Sequence, residues 1–520
     1  MSDLRWLAWS VPFIYALAAL CTLGVRNAWR ALSLAAGAAL ALALAELLRT
    51  FAADASTPFS ASARIASVVI LLISFLGWVI ARYSRVNLAG EPGERRYVLG
   101  LLATLAAVCA VVATNNFAVL IAAWALSSAT LHPLLTFYGE RPLARLAARK
   151  KFIAARLAEL CLLGAAALLY QQWRTLDLDS IARLAGAGAP LAPPVQLAAV
   201  LIAAAVLLRC AQLPLHGWLV QVMEAPSSVS ALLHAGVVNL GGYVLIRLAS
   251  LIGASAPAEV LLVAVGSATA MLAGLTMMTC TSVKVRLAWS TCSQMGLMLT
   301  ECALGLYDLA LLHLLAHALY KAYAFLSAGE TVQESARWRL LARPSADLQR
   351  RDAGRALRAG LLAGLLVCGS SALWHVIVHV PLLSWPAWLL CTTGCSVLLW
   401  DSATVALYLR NVFVTVAAVQ LYLLWHVTIR SALPASAVNP SELARLWAST
   451  CFLVLYFLQW RLSRPVHSPG AARLWAWASV GYFLDEPVSA LVMRRWRRRA
   501  PRWTGLPLGR SLAQRQGGAA

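Results

Sequence analysis

The chain has 520 residues, of which 61% are hydrophobic and only 12% charged, and its mean hydropathy is +0.73. A soluble fold could not cover so much apolar surface, so the composition excludes a cytosolic enzyme or binding module and points to an integral membrane protein. The net charge of +22 is spread in short clusters between apolar runs, which suits the cytoplasmic face of a membrane and argues against a nucleic-acid partner.

Apolar windows of the length that crosses a bilayer fall near 5–24, 30–48, 66–82, 97–114, 117–137, 152–171, 196–222 (broken), 228–250, 257–280, 285–303, 306–328, 357–380, 386–408, 411–430 and 441–460. They predict an all-α, polytopic fold of about fifteen transmembrane helices. The first window, Leu7 to Val25, follows a weakly charged start, lacks an A-x-A exit and precedes another window, so it is expected to stay as a membrane helix. Basic clusters then come almost entirely after odd-numbered windows: Arg26 and Arg30, Arg82 to Arg96, Arg141 to Lys151, Lys284 and Arg286, Arg337 to Arg358, and Arg461 with Arg464. The positive-inside rule accordingly predicts an N-terminus outside and a C-terminus in the cytoplasm. The 11 cysteines include no CxxC pair and sit in apolar segments, with Cys391 and Cys395 too isolated for a metal site. No nucleotide loop, flavin motif or iron–sulfur ligand set is legible. The sequence therefore predicts no metal, no cofactor and no catalytic residue on this chain, and any catalysis is expected on a partner.

Ionisable groups inside a membrane cost about 2.5–3.5 kcal/mol each on insertion scales, so the positions that carry them call for a functional explanation. In chain order the first are Glu159, in the sixth window, and Arg209, in the seventh, where a carboxylate is expected to pair with a nearby cation. Pro214 breaks the seventh window, and backbone freed at that depth is tolerated only where protein or water satisfies it. His234 follows on the next helix. Ser290, Thr291, Ser293 and Gln294 cluster in the tenth window, either to hydrate a path or to bond between helices. His313, His317 and Lys321 recur at i, i+4 and i+8, which lines three titratable groups along one helix face as a proton path would require. His375 and His379 repeat the four-residue spacing beside Trp374, as an exit or as an interfacial pair, and Asp401 is a further candidate or an arginine partner. After His467 the chain interleaves aromatic residues with arginines. Arg473, Trp477, Tyr482, Phe483, Arg494 and Trp496 read as docking residues for a partner or as an anchor in membrane lipid; the acidic step Asp485–Glu486 favours the partner.

Three runs, AQLPLHGWLVQVMEAPSSVSALLHAG, KVRLAWSTCSQMGLM and HLLAHALYKAYAFLSAG, resemble in order the antiporter-like subunits of respiratory complex I and of multisubunit sodium/proton antiporters. The resemblance covers Leu101 to Gly329 well and the rest poorly. It implies two inverted five-helix repeats, each with a broken helix, at 97–250 and 257–408, flanked by N-terminal helices at 1–96 and by further helices and a basic docking tail at 411–520. It also assigns Glu159, Arg209, His234, His313, His317 and Lys321 to a hydrated ion relay, with arginine at 209 where the family has lysine. The family's glutamate after the tryptophan of the fifth helix is Ala125 here, leaving His132 as the titratable side chain nearby, and its lysine on the twelfth helix has no counterpart. The ending ARLWAWASVGYFLDEPVSALVMRRW is similar to the membrane subunit of two-component inorganic carbon accumulation complexes, which carries an aromatic run through GFYLD. That resemblance implies an inner-membrane subunit conducting protons or sodium, with a large soluble zinc protein resembling a carbonic anhydrase docked on its cytoplasmic face. A complex I or antiporter subunit is the alternative, and a non-conducting anchor for a soluble enzyme is the reading from another class.

Overall fold

The computed structural model describes residues 6–24, 27–52, 58–332, 353–400, 404–430, 440–463 and 469–497. Among these residues the elements are helical, joined by short connections, and 11 helices are long and apolar enough to cross a membrane. Three shorter apolar helices accompany them. The chain is a multi-pass all-α membrane protein, as its composition predicts.

Helices α1 (Trp6–Cys21), α2 (Ala28–Ala52) and α3 (Pro58–Leu88) pack on one another and on α4 (Glu94–Ala113). Next come α5 (Phe117–Leu135), α6 (Pro142–Trp173), the short α7 (Leu178–Ala185) and α8 (Pro193–Arg209). α6 begins ten residues before its expected window. Lys150 and Lys151, expected in a solvated basic loop, are instead buried on a helix.

The break after α8 lies where Pro214 predicts it. Ala211 takes a left-handed conformation (φ 52°), and the helix resumes as α9 (Gly217–Gln221). The freed backbone groups find partners inside the protein: the Gln212 side chain donates to the Cys210 carbonyl at 2.9 Å, and Leu213 N–H donates to Thr269 Oγ1 at 3.1 Å. A second interruption follows. Between α10 (Ser227–Leu232) and α11 (Leu240–Arg247) the chain makes one π-helical turn, Leu233–Val237, with His234 inside it.

After α12 (Ala249–Gly253) come α13 (Ala256–Thr279), α14 (Val283–Ala303) and α15 (Tyr307–Leu326). α13 and α14 approach so closely that a Cβ on Gly296 would lie 2.5 Å from the Gly266 carbonyl oxygen, a contact only glycine permits. The remaining spans are α16 (Ala353–Val378), α17 (Trp385–Trp400), α18 (Val405–Arg430) and α19 (Glu442–Leu462), followed by α20 (Pro469–Ser479) and α21 (Glu486–Arg497). α18 runs unbroken through 408–411, so the boundary expected there between the second repeat and the C-terminal helices falls inside one helix. Exposed Leu, Val, Ile and Phe side chains cover the outer faces of α16 and α18, as lipid contact requires.

Candidate functional site

Lys321, His317 and His313 share one face of α15 and point into the protein. Lys321 is fully buried and His317 is 2% exposed. The Lys321 ammonium donates to Ser290 Oγ at 2.7 Å, and Gln294 Nε2 donates to the same hydroxyl at 3.4 Å, so α14 receives the charge through two polar side chains one turn apart. Ser293 does the other job open to this cluster, donating to the Ala270 carbonyl of α13 at 2.8 Å. The His313 and His317 rings lie 6.1 Å apart. His234, fully buried, stacks on Phe325 of α15 at 4.4 Å, and the π turn is what aims it there. Among the described residues, both ring nitrogens of His234 and of His317 lack a protein hydrogen-bond partner. Leaving a buried polar group unpaired costs about 1–3 kcal/mol. Four unpaired ring nitrogens beside Lys321 are groups that a path accepting and releasing protons can use.

Three acidic or basic groups at the far end of this line escaped the sequence reading. Glu301, near the end of α14, is 3% exposed and accepts from His313 Nδ1 at 3.0 and 3.2 Å. Asp308, in the first turn of α15, is held by His426 of α18 at 2.6 Å and by the Tyr422 hydroxyl at 3.2 Å. The pairings join residues 12 and 118 positions apart, so no local spacing announces them.

Glu159 behaves as expected of a carboxylate at depth. It accepts from Arg209 at 3.1 Å and from Arg156 at 2.6 Å. The Arg209 guanidinium also lies over the Trp124 ring, 5.1 Å from its centroid. Lys151 faces the same small pocket and donates to the Ser128 carbonyl at 2.6 Å. A third cation thus lines one pocket with Trp124 and Arg209. His132 lies against Phe152, with ring centroids 6.4 Å apart.

The tail folds back onto the chain. Asp485, just before α21, accepts from Lys150 at 2.6 Å, from Gln221 at 2.8 Å and from Ser489 at 2.9 Å, and Lys150 also donates to Ser489. A Cβ on Gly217 would lie 1.6 Å from Asp485 Oδ1, so the carboxylate enters the break of α8–α9 through space that only glycine leaves. The acidic step taken from the sequence as a sign of a partner is therefore used, at Asp485, within the chain itself. Of the expected docking residues, Arg473, Trp477, Phe483 and Arg494 are exposed and Tyr482 is half-buried. Trp477 and Phe483 pack edge to face at 6.1 Å. The Trp496 side chain lies outside the described residues, as do Asp401 and residues 333–352 of the long basic loop.

His375 and His379 are exposed; His375 contacts the Val380 carbonyl at 2.8 Å, and no ring contact or hydrogen bond among the described residues joins either to the buried line. Among the described residues no group of three or more His, Cys, Asp or Glu is placed to hold a metal ion.

Residues 113–346, which include the whole buried line, match the family described as NADH:quinone oxidoreductase/Mrp antiporter, TM. The chain is 54% identical over 274 residues to "Probable inorganic carbon transporter subunit DabB" of Hydrogenovibrio crunogenus, covering 52% of this chain and 53% of that one. It is 43% identical over 262 residues to subunit DabB2 of Halothiobacillus neapolitanus, described in the same words, with 50% and 48% covered. To the NADH-quinone oxidoreductase subunit L of Mycobacterium tuberculosis it is 32% identical over 268 residues, with 51% and 42% covered. The chain thus spans about half the length of the curated relatives it matches. In fold it is similar to a chain of the Mrp complex from Dietzia sp. DQ12-45-1b, with a TM-score of 0.57 at 22% identity over 96% of this chain and 60% of that one. A chain of the archaeal membrane-bound sulfane sulfur reductase gives 0.58 at 18% identity, over 95% and 97%.

Proposed function

We propose, from the resemblance of this chain to the antiporter-like superfamily and to the DabB subunits, that it is the ion-conducting membrane subunit of an inorganic carbon uptake complex. The observation that carries conduction is the buried line Lys321–His317–His313 with His234 beside it, which has four imidazole nitrogens without a protein partner among the described residues. Its groups are nitrogen bases, which bind and release protons, not the oxygen ligands that a hard, desolvated cation needs, so the conducted ion is a proton rather than sodium. Arg209 holds its proton at any relevant pH and acts as a fixed charge opposite Glu159. Ion flow through this line drives hydration of CO2 to bicarbonate on a large soluble zinc-containing partner, and this chain contributes no catalytic group. The exposed Trp475, Trp477 and Phe483 next to Arg473 form the surface on which that partner docks, at the cytoplasmic side of a bacterial inner membrane.

The test is growth in air of a carbonic-anhydrase-deficient cell. Co-expression of the chain with a large soluble protein encoded beside it is expected to rescue growth, and neither protein alone is. Rescue by this chain alone would contradict the reading. Restored sodium tolerance without carbon rescue would put the antiporter alternative in its place.

A further inference from the structure

Glu301 stands outside every role described so far. It is a carboxylate at the end of α14 with 4% of its side chain exposed, and its ionic partner is His313, 13% exposed. The same carboxylate lines a cleft of about 230 Å³ between α13, α14, α17 and α19, whose polar lining includes Ser293, Gln294, Cys391, Thr393 and Gln459. Along α14, Ser290, Gln294, Leu297 and Glu301 fall on one face. Ser290 receives the Lys321 ammonium, Gln294 donates to Ser290 and also lines the cleft, and Glu301 meets His313. The cleft therefore touches the buried line at both ends. A burial-only role for Glu301 would bring the cost of a desolvated carboxylate with no gain over a neutral side chain.

We propose that Glu301 is a proton-carrying group of the pathway, exchanging a proton between His313 Nδ1 and water in this cleft. In the step, imidazolium Nδ1–H gives its proton to the carboxylate, leaving a neutral ring and a carboxylic acid; the acid then releases the proton to cleft water and returns to its anionic form. The cleft thereby serves as a second opening of the path, distinct from the rest of α15. The inference rests on the reading that the chain conducts protons.

The experiment reconstitutes the full chain with its co-expressed partner into vesicles and follows uncoupler-controlled proton flux with a lumenal pH dye under an imposed potassium diffusion potential. Glu301→Gln keeps the size and the contact with His313 but removes the exchangeable acid. It is expected to slow flux by at least about a hundredfold, the low end of what a positioned acid–base group contributes to proton transfer, while Glu301→Asp stays within about tenfold of wild type. Glu301→Gln at more than about half of the wild-type rate would overturn the proposal, as would an Asp variant as slow as the Gln variant, because an acid of the same chemistry would then fail to substitute. Absence of flux from the wild-type complex would instead remove the conduction reading on which the proposal stands.

Discussion

At the scale of single residues, the proposed conduction divides the polar groups into fixed charges and movable ones. Glu159 with Arg209 and Arg156 is the fixed set, a carboxylate held between two guanidinium cations. Glu159→Leu strands Arg209 without its carboxylate at a 7% exposed site, which costs about 3–5 kcal/mol by the penalty for breaking a buried pair. The measurement is thermal unfolding in detergent, and an unchanged midpoint would show that the Trp124 ring already holds Arg209. Arg209→Lys keeps the charge and loses the flat contact with Trp124, so flux should remain within about tenfold of wild type; complete loss would mean that the guanidinium does more than supply charge. Lys321, His317 and His313 were legible from spacing alone, because helix geometry dictates which residues share a face. Glu301, Asp308 and His426 were not. Their meaning lies in partners on other helices, and a carboxylate at the end of an apolar window reads equally as a surface charge. Lys151 was missed for the complementary reason: it ends a basic run that looks like a loop, and only the depth to which α6 extends shows it as buried.

At the scale of elements, the break between α8 and α9 and the tail depend on each other. Pro214 announces the break in the sequence, but nothing there says that Asp485, more than 260 residues later, fills it. The acidic step after the aromatic run reads as a docking signal, and at Asp485 that signal is the chain's own packing. Gly217→Ala places a methyl group where the Asp485 carboxylate sits, and Asp485→Ala removes the counter-charge of Lys150, whose side chain is 3% exposed. Both variants are expected to free α21, seen as faster trypsin cleavage at Arg494. Because the two changes act on one contact, the double variant should be no faster than the quicker single one. Additive acceleration would show that Gly217 and Asp485 act through separate contacts. The α17–α18 boundary marks the opposite limit of sequence reading: the apolar windows place the break between two helices at 408–411, whereas α17 ends at Trp400 and α18 runs unbroken from Val405 to Arg430.

At the scale of the whole molecule, the class was fixed by composition, while the exact division into spans and repeats depends on where helices end in three dimensions. The orientation we propose follows from the arginine-rich segment between 337 and 358 and the uncharged turn at Val380 to Trp385. A reporter active only in the cytoplasm should work when fused at Ser345 and stay silent at Ser384; the reverse pattern would invert the topology. The central claim is that the buried line on α15 carries protons and that transport depends on it. Lys321 is its most buried charge, bonded to Ser290, and a methionine fills similar space without a titratable group. The decisive measurement is therefore proton flux by the assembled Lys321→Met complex beside the wild type, with equal membrane insertion and partner retention confirmed for both. Flux is expected to be abolished in the variant; flux at the wild-type rate would show that protons cross without Lys321.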